Sequence, residues 1–597
     1  MTTSIALIRA DGATARAHAE GRHAWWLYVE EILGHQRTPF FWCEPDGLTA
    51  ATTTAVVSTT ENLDHTAAER LHEWTEQGGT LLIVGAPGTL GERFGLDIVT
   101  TLGDSHVTFA SNEIWTQRPP VALHALGGVG YRLESGTDSL GTWADGSVAI
   151  IRRSVGNGVL LALGPDLWQS VVRIQQGFPV HADGEPAQDG TAPIDDGLLK
   201  AEDGMALSLE DDRAIPPGEP ELGDDYEHTY PPPSAVPVFH EPHADHWRSV
   251  LHQLLWESTA SRGKVLPWLS YWPAGIPAIA HMSHDADIND VEDGLAALVA
   301  FAEADVKVTW CQVHPGGYGR DLHRAITLAG HENALHYNAM DDSDLATWGW
   351  PQMRAQYAWA QAVTGEEDIV SNKNHYTRWE GWTEFYSWCE QLGIKIDQSR
   401  GPSKQGTVGF PFGTAHVTFP MGDLDAGNRL MNVLNLPLHT QDLAWAGHVA
   451  VRDVVLEAAL AHHGVAHFLY HGPHLRKRPL TRASCLEVAG LARERGMQWW
   501  TSREINSWER ARRTVDVDVE QREGSWHVRA RSGAHLTQAA ILLPVPDGSV
   551  VEEFELDGRG SLDTVVRHGR QFLELAVDLE PGVLAWTVRI GASPAGR

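Results

Sequence analysis

Positive charge is what this 597-residue chain has least of: 45 Lys and Arg stand against 78 Asp and Glu, for a formal net charge of -33. A surface of that sign repels phosphate backbones and anionic headgroups. Nucleic acid and membrane are therefore poor partners, and a neutral or cationic ligand is easier to hold. Cysteine is scarce as well. Cys43, Cys311, Cys389 and Cys485 lie far apart and show no paired metal-binding spacing, so reduced thiols are the simplest reading. No apolar run is long enough to span a bilayer. The first nine residues lack a basic region followed by an apolar segment, so the expected address is cytoplasmic.

Histidine and tryptophan are abundant, at 31 and 24 residues. Histidine in quantity fits metal and proton chemistry. Tryptophan in quantity fits flat platforms for sugar rings, although any single Trp more often fills a core. The length exceeds one hydrophobic core and asks for several domains.

Apolar runs at 4–10, 40–42, 55–60 and 80–84 read as strands, with helices over 24–33 and 66–77 between them. That alternation argues for a doubly wound parallel sheet. The layout, with the late strand in Gly156-Asn157-Gly158-Val159-Leu160-Leu161-Ala162-Leu163, resembles the class I glutamine amidotransferase-like fold. The turn after the strand at 80–84 is Gly85-Ala86-Pro87-Gly88 and offers no thiol, so this domain reads as non-catalytic; covering a neighbouring site, binding a ligand or forming a homo-oligomer are roles left open to it. Residues 182–235 turn acidic and Pro-rich, as in a loop or linker. A helix near 246–256 closes the first domain, placed at 1–262. Residues 263–512 alternate strands (278–283, 306–313, 334–337, 368–371, 394–397, 433–436, 465–471, 497–500) with helices, as in a (β/α) barrel whose function collects at the C-terminal strand ends. From 513 to 597 the pattern has period two, as in an antiparallel β-sandwich.

The most informative run is Ala278-Ile279-Ala280-His281-Met282-Ser283-His284-Asp285-Ala286-Asp287. A strand ending on two carboxylates one residue apart points both to the same side. Their repulsion needs a cation or a shared proton. Three segments, Ser283-His284-Asp285-Ala286-Asp287, Gly330-His331-Glu332-Asn333-Ala334-Leu335-His336-Tyr337 and His467-Phe468-Leu469-Tyr470-His471-Gly472-Pro473-His474, in that order, make the barrel similar to the polysaccharide deacetylase (NodB-homology) superfamily. The resemblance implies a metal-dependent hydrolase that removes acetyl groups from an N-acetylated sugar. It makes Asp287 and His336 ligands of a divalent ion, zinc above all, and Asp285 the base that deprotonates water. It makes His471 the acid for the departing amine, with Asp397 orienting it. The superfamily's second imidazole falls on Met340 here, so His375, in Asn374-His375-Tyr376-Thr377-Arg378-Trp379-Glu380-Gly381-Trp382, is expected as third ligand. Lys373 and Arg378 stand in for the usual Arg-rich motif. His474, Arg378, Trp379 and Trp382 are expected to touch substrate, with Trp348 and Trp350 on nearby loops. His284 and His331 read as structural, and His281 and His467 as satisfied core histidines. Two other readings stay open: hydrolysis of a small non-peptide amide of the cyclic imide or ureide type, and a degenerate glycan-binding scaffold.

Overall fold

The computed structural model describes residues 4–191, 197–216, 236–287, 289–340, 348–403, 406–522, 525–545, 549–555 and 560–592. Pro231, Pro232 and Pro233 of the expected linker lie outside them.

The first sheet contains β1 (Ile5–Ile8), β2 (Phe41–Cys43), β3 (Thr54–Val57), β4 (Thr80–Val84), β5 (Ile98–Phe109), β6 (Leu123–Tyr131), β7 (Thr137–Trp143), β8 (Val148–Val155) and β9 (Gly158–Leu163). Its order is β2-β1-β3-β4-β9-β8-β6-β5-β7. The half from β2 to β9 is parallel, and β1, β3 and β4 are buried along their whole length, as strands covered on both faces must be. The other half is antiparallel, which the expectation of a parallel sheet missed. The cause is local. Between β7 and β8 the chain reverses through Ala144-Asp145-Gly146, with Gly146 at φ 88, and such a short turn can only make an antiparallel pair.

The central sheet is built from β11 (Ile279–Asp285), β12 (Thr309–Val313), β13 (Glu332–Tyr337), β14 (Ser371–Asn374), β15 (Ile396–Asp397), β16 (Leu434–Asn435), β17 (Thr440–Gln441), β18 (Val465–His471) and β19 (Gln498–Trp499); β10 (Trp268–Leu269) precedes them in the chain. Its order is β16-β15-β14-β13-β12-β11-β18-β17, all parallel, with β19 beside the start of β11. Among the described residues nothing pairs β16 with β17, so the expected barrel is an open half-barrel. The strands flanking the opening are two residues long. Beside them, the helix His243–Ala260 of the first domain takes the place of sheet. Asp245 accepts hydrogen bonds from Thr414 Oγ1 (2.6 Å) and the Ala415 amide (2.7 Å). Trp247 and Leu251 share one apolar core with Ile396, Leu434, Leu436 and Val465.

The C-terminal strands are β20 (Asp516–Arg522), β21 (Ser525–Ser532), β22 (Leu536–Pro544), β23 (Ser549–Glu555), β24 (Ser561–Arg567), β25 (Arg570–Leu579) and β26 (Gly582–Ala592). They form two antiparallel sheets, β20-β21-β26-β23 and β10-β22-β25-β24, whose facing residues Val517, Trp526, Val528, Ile541, Leu543, Leu573 and Leu575 share a core. β10 comes from the segment expected to open the barrel; it extends the second sheet instead.

The expected linker is not loose where it is described. Lys200 and Glu202 are fully buried. Val180 and Lys200 bridge to Gly381 and Arg378, the Trp379 amide donates to Leu199 O (3.1 Å), and Glu202 accepts from Ser403 and Thr407. This strap, held by polar bonds as well as by the buried Val180, Ala201, Leu207 and Leu209, lies along the segment that follows His375.

At the junction of first and central domains, Arg513 donates to both oxygens of Glu31 (2.7 and 2.9 Å) and also to Glu509. Glu31 is buried, so removing its charge strips one partner from a desolvated pair. We expect Glu31→Ala to destabilise the chain by about 3 kcal/mol, read as a fall in the chemical-denaturation midpoint; an unchanged midpoint would show the pair to be idle.

Many buried histidines are neutral. Burial lowers His252 to about 3 and His439 and His463 to about 4, and holds His35, His416, His462 and His568 well below the ordinary value. In the unfolded chain the same rings take up protons near pH 6.5. The unfolded state therefore binds more protons as pH falls below about 6.5, and stability drops by up to roughly 1.4 kcal/mol per pH unit for each such ring until the folded pKa is reached. The melting temperature should fall steadily as pH drops from about 6.5 toward 4; a flat profile across that window would contradict the assignment of neutral rings.

Candidate metal centre

Parallel pairing sets the site. β11 and β18 run in register so that Asp285 lies beside His471, and β13 and β14 so that His336 lies beside Lys373. Register partners share a face, and all four belong to the C-terminal edge of the sheet. Past Asp285 the chain turns sharply. Asp287 (φ 37) and Asn289 (φ 53) are left-handed, a conformation that Asp and Asn tolerate better than most residues, and Asn289 Nδ2 donates to Val313 O (2.7 Å). The turn folds Asp287 back toward Asp285. Across the site Tyr376 (φ 56) and Thr377 (φ 52) are also left-handed, which for a β-branched Thr is strained, and this tight turn presents His375.

Asp287, His336 and His375 converge, each offering one atom, and these atoms all lie within 4.8 Å of one another. His336 Nε2 and His375 Nε2 are 3.6 and 3.7 Å from Asp287 Oδ1. His336 Nε2 and Asp287 Oδ1 are buried without any hydrogen-bond partner, a cost that an ion between them would remove. The tautomers suit ligation. His336 Nδ1 donates to Lys373 O (2.9 Å). His375 Nδ1 donates to Asn338 Oδ1 (3.1 Å), whose own Nδ2 is committed to His314 O (3.2 Å). Both rings therefore turn an Nε2 lone pair inward. Burial lowers His375 to about 4, which keeps it neutral. Two imidazoles and a carboxylate with an open side fit a divalent ion of the zinc type.

Asp285 and His471 stand beside this set. Asp285 is buried, which alone would favour its neutral form, but His336, Lys373 (Nζ to Oδ2, 3.0 Å) and His471 hold its pKa below the usual range. Its Oδ1 has no hydrogen-bond partner. His471 Nε2 lies 3.9 Å from Asp285 Oδ2 and 3.7 Å from Asp287 Oδ2, and its Nδ1 donates to Asp442. Burial pulls His471 down, yet Asp442 and Asp287 outweigh it and raise the ring to about 10, so it is an imidazolium.

The structure separates other expected site residues from this group. Asp397 does not orient His471: its carboxylate accepts from Asn372 Nδ2 (2.9 Å) and Ser399 Oγ (2.7 Å), and the carboxylate behind His471 is Asp442. Trp379 and Trp382 are not platforms. Both are buried, under the guanidinium groups of Arg400 (4.2 Å) and Arg173 (4.6 Å) respectively. Arg378 is also buried and spans Ala339 O and Glu380, which makes it a brace of the His375 segment. His474 stays at the rim, with Nδ1 2.9 Å from Asp442 and its ring 4.1 Å from that of Trp445. His284 packs on Trp310 and Phe301 outside the half-barrel, His331 accepts the Val308 amide, and His281 and His467 are satisfied inside it. Asp442 and Asn338 were missed from sequence: Asp442 follows the two-residue β17, too short for periodicity to show, and Asn338 carries no motif.

No protein-family model matches the sequence, and no curated protein does. Among solved structures, a putative polysaccharide deacetylase from Mycobacterium smegmatis matches at 15% identity over 42% of this chain and 96% of its own, with a TM-score of 0.32. A β-galactosidase from Bacillus circulans sp. alkalophilus matches at 15% identity over 29% of this chain and 30% of its own (TM-score 0.23). An exo-β-1,4-mannosidase from Opitutaceae bacterium strain TAV5 matches at 18% over 28% and 32% (TM-score 0.23). The chain thus spans about a third of the two glycosidases. These are distant likenesses, and no residue role is taken from them.

If Asn338 orients a ligand, its loss should weaken metal binding without abolishing it. We expect Asn338→Ala to lower zinc affinity by about 10–100-fold, measured by competition with a chromogenic chelator; wild-type affinity would exclude His375 as a ligand held by that amide.

Proposed function

We propose that the chain is a metal-dependent hydrolase that removes acetyl groups from an N-acetylated sugar or polysaccharide. One observation carries this reading: a carboxylate and an imidazolium, Asp285 and His471, border the same three-sided ligand set of Asp287, His336 and His375. A divalent ion held by Asp287, His336 and His375 would supply the Lewis acidity for an acyl oxygen and for water. The chain's own residues divide the rest. Asp285, anionic beside Lys373 and with Oδ1 free, takes the proton of the attacking water. His471 gives its Nε2 proton to the departing amine, while Asp442 holds Nδ1 and stabilises the charged ring. The lone pairs of His336 and His375 stay inward because their Nδ1 protons are engaged.

The burial of Trp379 and Trp382 removes the aromatic floor expected for a glycan. It favours, as a second reading, a small non-peptide amide handled by the same residues.

The experiment is acetate release from N-acetylhexosamine oligomers by zinc-loaded protein, beside a panel of O-acetyl esters, cyclic imides and ureides. Turnover of the oligomers that falls about 10²–10⁴-fold in Asp285→Asn and Asp442→Asn, with zinc content kept, supports the deacetylase. Turnover of imides alone supports the second reading. No turnover of anything by metal-loaded protein overturns both and leaves a binding scaffold.

A further inference from the structure

A second cluster of histidine and carboxylate lies in the first domain. His106 on β5 and His124 on β6 are direct register partners, so their rings share a face, with centroids 4.7 Å apart. Asp212 reaches them from the strap and is buried. Its Oδ1 is 2.8 Å from His106 Nε2, and its Oδ2 is 2.6 Å from His124 Nδ1 and accepts the Ser208 amide (2.7 Å). Behind His124, Asp104 Oδ1 is 2.7 Å from Nε2. His243 Nδ1 accepts the His124 amide (3.1 Å), so its proton is on Nε2, 3.6 Å from Asp212, and that ring turns no lone pair to the cluster.

We propose that His106, His124 and Asp212 form a second divalent-cation site, structural in purpose, that fastens the strap to the first sheet. The donor set is two imidazole nitrogens and a carboxylate oxygen, all within 4.8 Å of one another, from three separate stretches of chain. Ligation through His124 Nδ1 leaves the ring's single proton on Nε2, 2.7 Å from Asp104; a carboxylate near that position is what metal-bound imidazoles carry. His106 is the more exposed ligand and leaves an entry path. Without an ion, protons on the same nitrogens bond the two oxygens of Asp212, so the cluster is coherent in either state. The ion's effect is mechanical. The strap it secures also carries Lys200 and Glu202 to the central domain. The proposal is independent of what the half-barrel catalyses.

The test is a metal count on the full-length chain, stripped with chelator, reloaded with zinc or cobalt and desalted. We expect His106→Ala and Asp212→Asn each to hold one ion fewer than wild type, Asp287→Ala to lose a different one, and the His106→Ala/Asp287→Ala pair to lose both. Zinc should still raise the melting temperature of Asp287→Ala but not that of the pair. Should Asp212→Asn fail to fold, His106→Ala at the rim still reports. If His106→Ala binds as many ions as wild type, whatever that number is, the cluster is closed by protons and the second site does not exist.

Discussion

Two carboxylates, one residue apart at the end of a buried strand, are the arrangement everything around the site answers. Asp285 and Asp287 repel each other where water can screen little, and the surrounding strands supply the opposite sign. Lys373 comes from β14, His336 from β13, His471 from β18, and His375 from the turn after β14. The parallel register delivers them all at one edge. Moving any of these strands by one residue would turn its polar side chain to the opposite face.

Three imidazoles meet these carboxylates, and what stands behind each decides its chemistry. His336 is backed by a carbonyl and His375 by an amide; both backing groups are uncharged and engage Nδ1, which turns Nε2 toward the carboxylates. His471 is backed by the Asp442 carboxylate, and the added charge keeps it protonated. The three rings thus differ less in their own position than in the group on the far side of each. The buried histidines elsewhere, such as His252 and His439, are lowered by burial, which outweighs the opposite pull of the backbone carbonyl each rests on.

The legible parts of the sequence were those with long apolar runs. β4 and β18 lie where their composition placed them, and Asp285, Asp287, His336 and His471 could be named because each ends or follows such a run. β14 is Ser-Asn-Lys-Asn, polar yet buried, and the sequence placed its strand three residues early. β15 and β16 fall inside the strands expected at 394–397 and 433–436, but β17 holds two residues, below any period, which hid Asp442 and left Asp397 as the apparent partner of His471. Trp379 and Trp382 misled for another reason: a tryptophan beside polar neighbours looks the same in sequence whether it faces solvent or a buried guanidinium. The strap was misread because its few buried apolar residues, Ala201, Leu207 and Leu209 among them, are scattered through an acidic, Pro-rich composition that hides both them and the hydrogen bonds. Glu202 and Asp212 hold it down through charge and geometry that no hydropathy pattern reveals.

That strap has a bearing on how the chain could be taken apart. The backbone flanking the third imidazole rests on bridges from Val180 and Lys200, contributed by a different domain. A fragment starting at residue 263 would keep Asp285, Asp287, His336, His375 and His471 and still lack the two bridges to Arg378 and Gly381, just past the left-handed turn. Recombining the half-barrel with foreign neighbours therefore demands that the newcomer rebuild those bridges. On this architecture the segment around residues 180–200 is part of the scaffolding of the strand-end cluster, and the two are structurally inseparable.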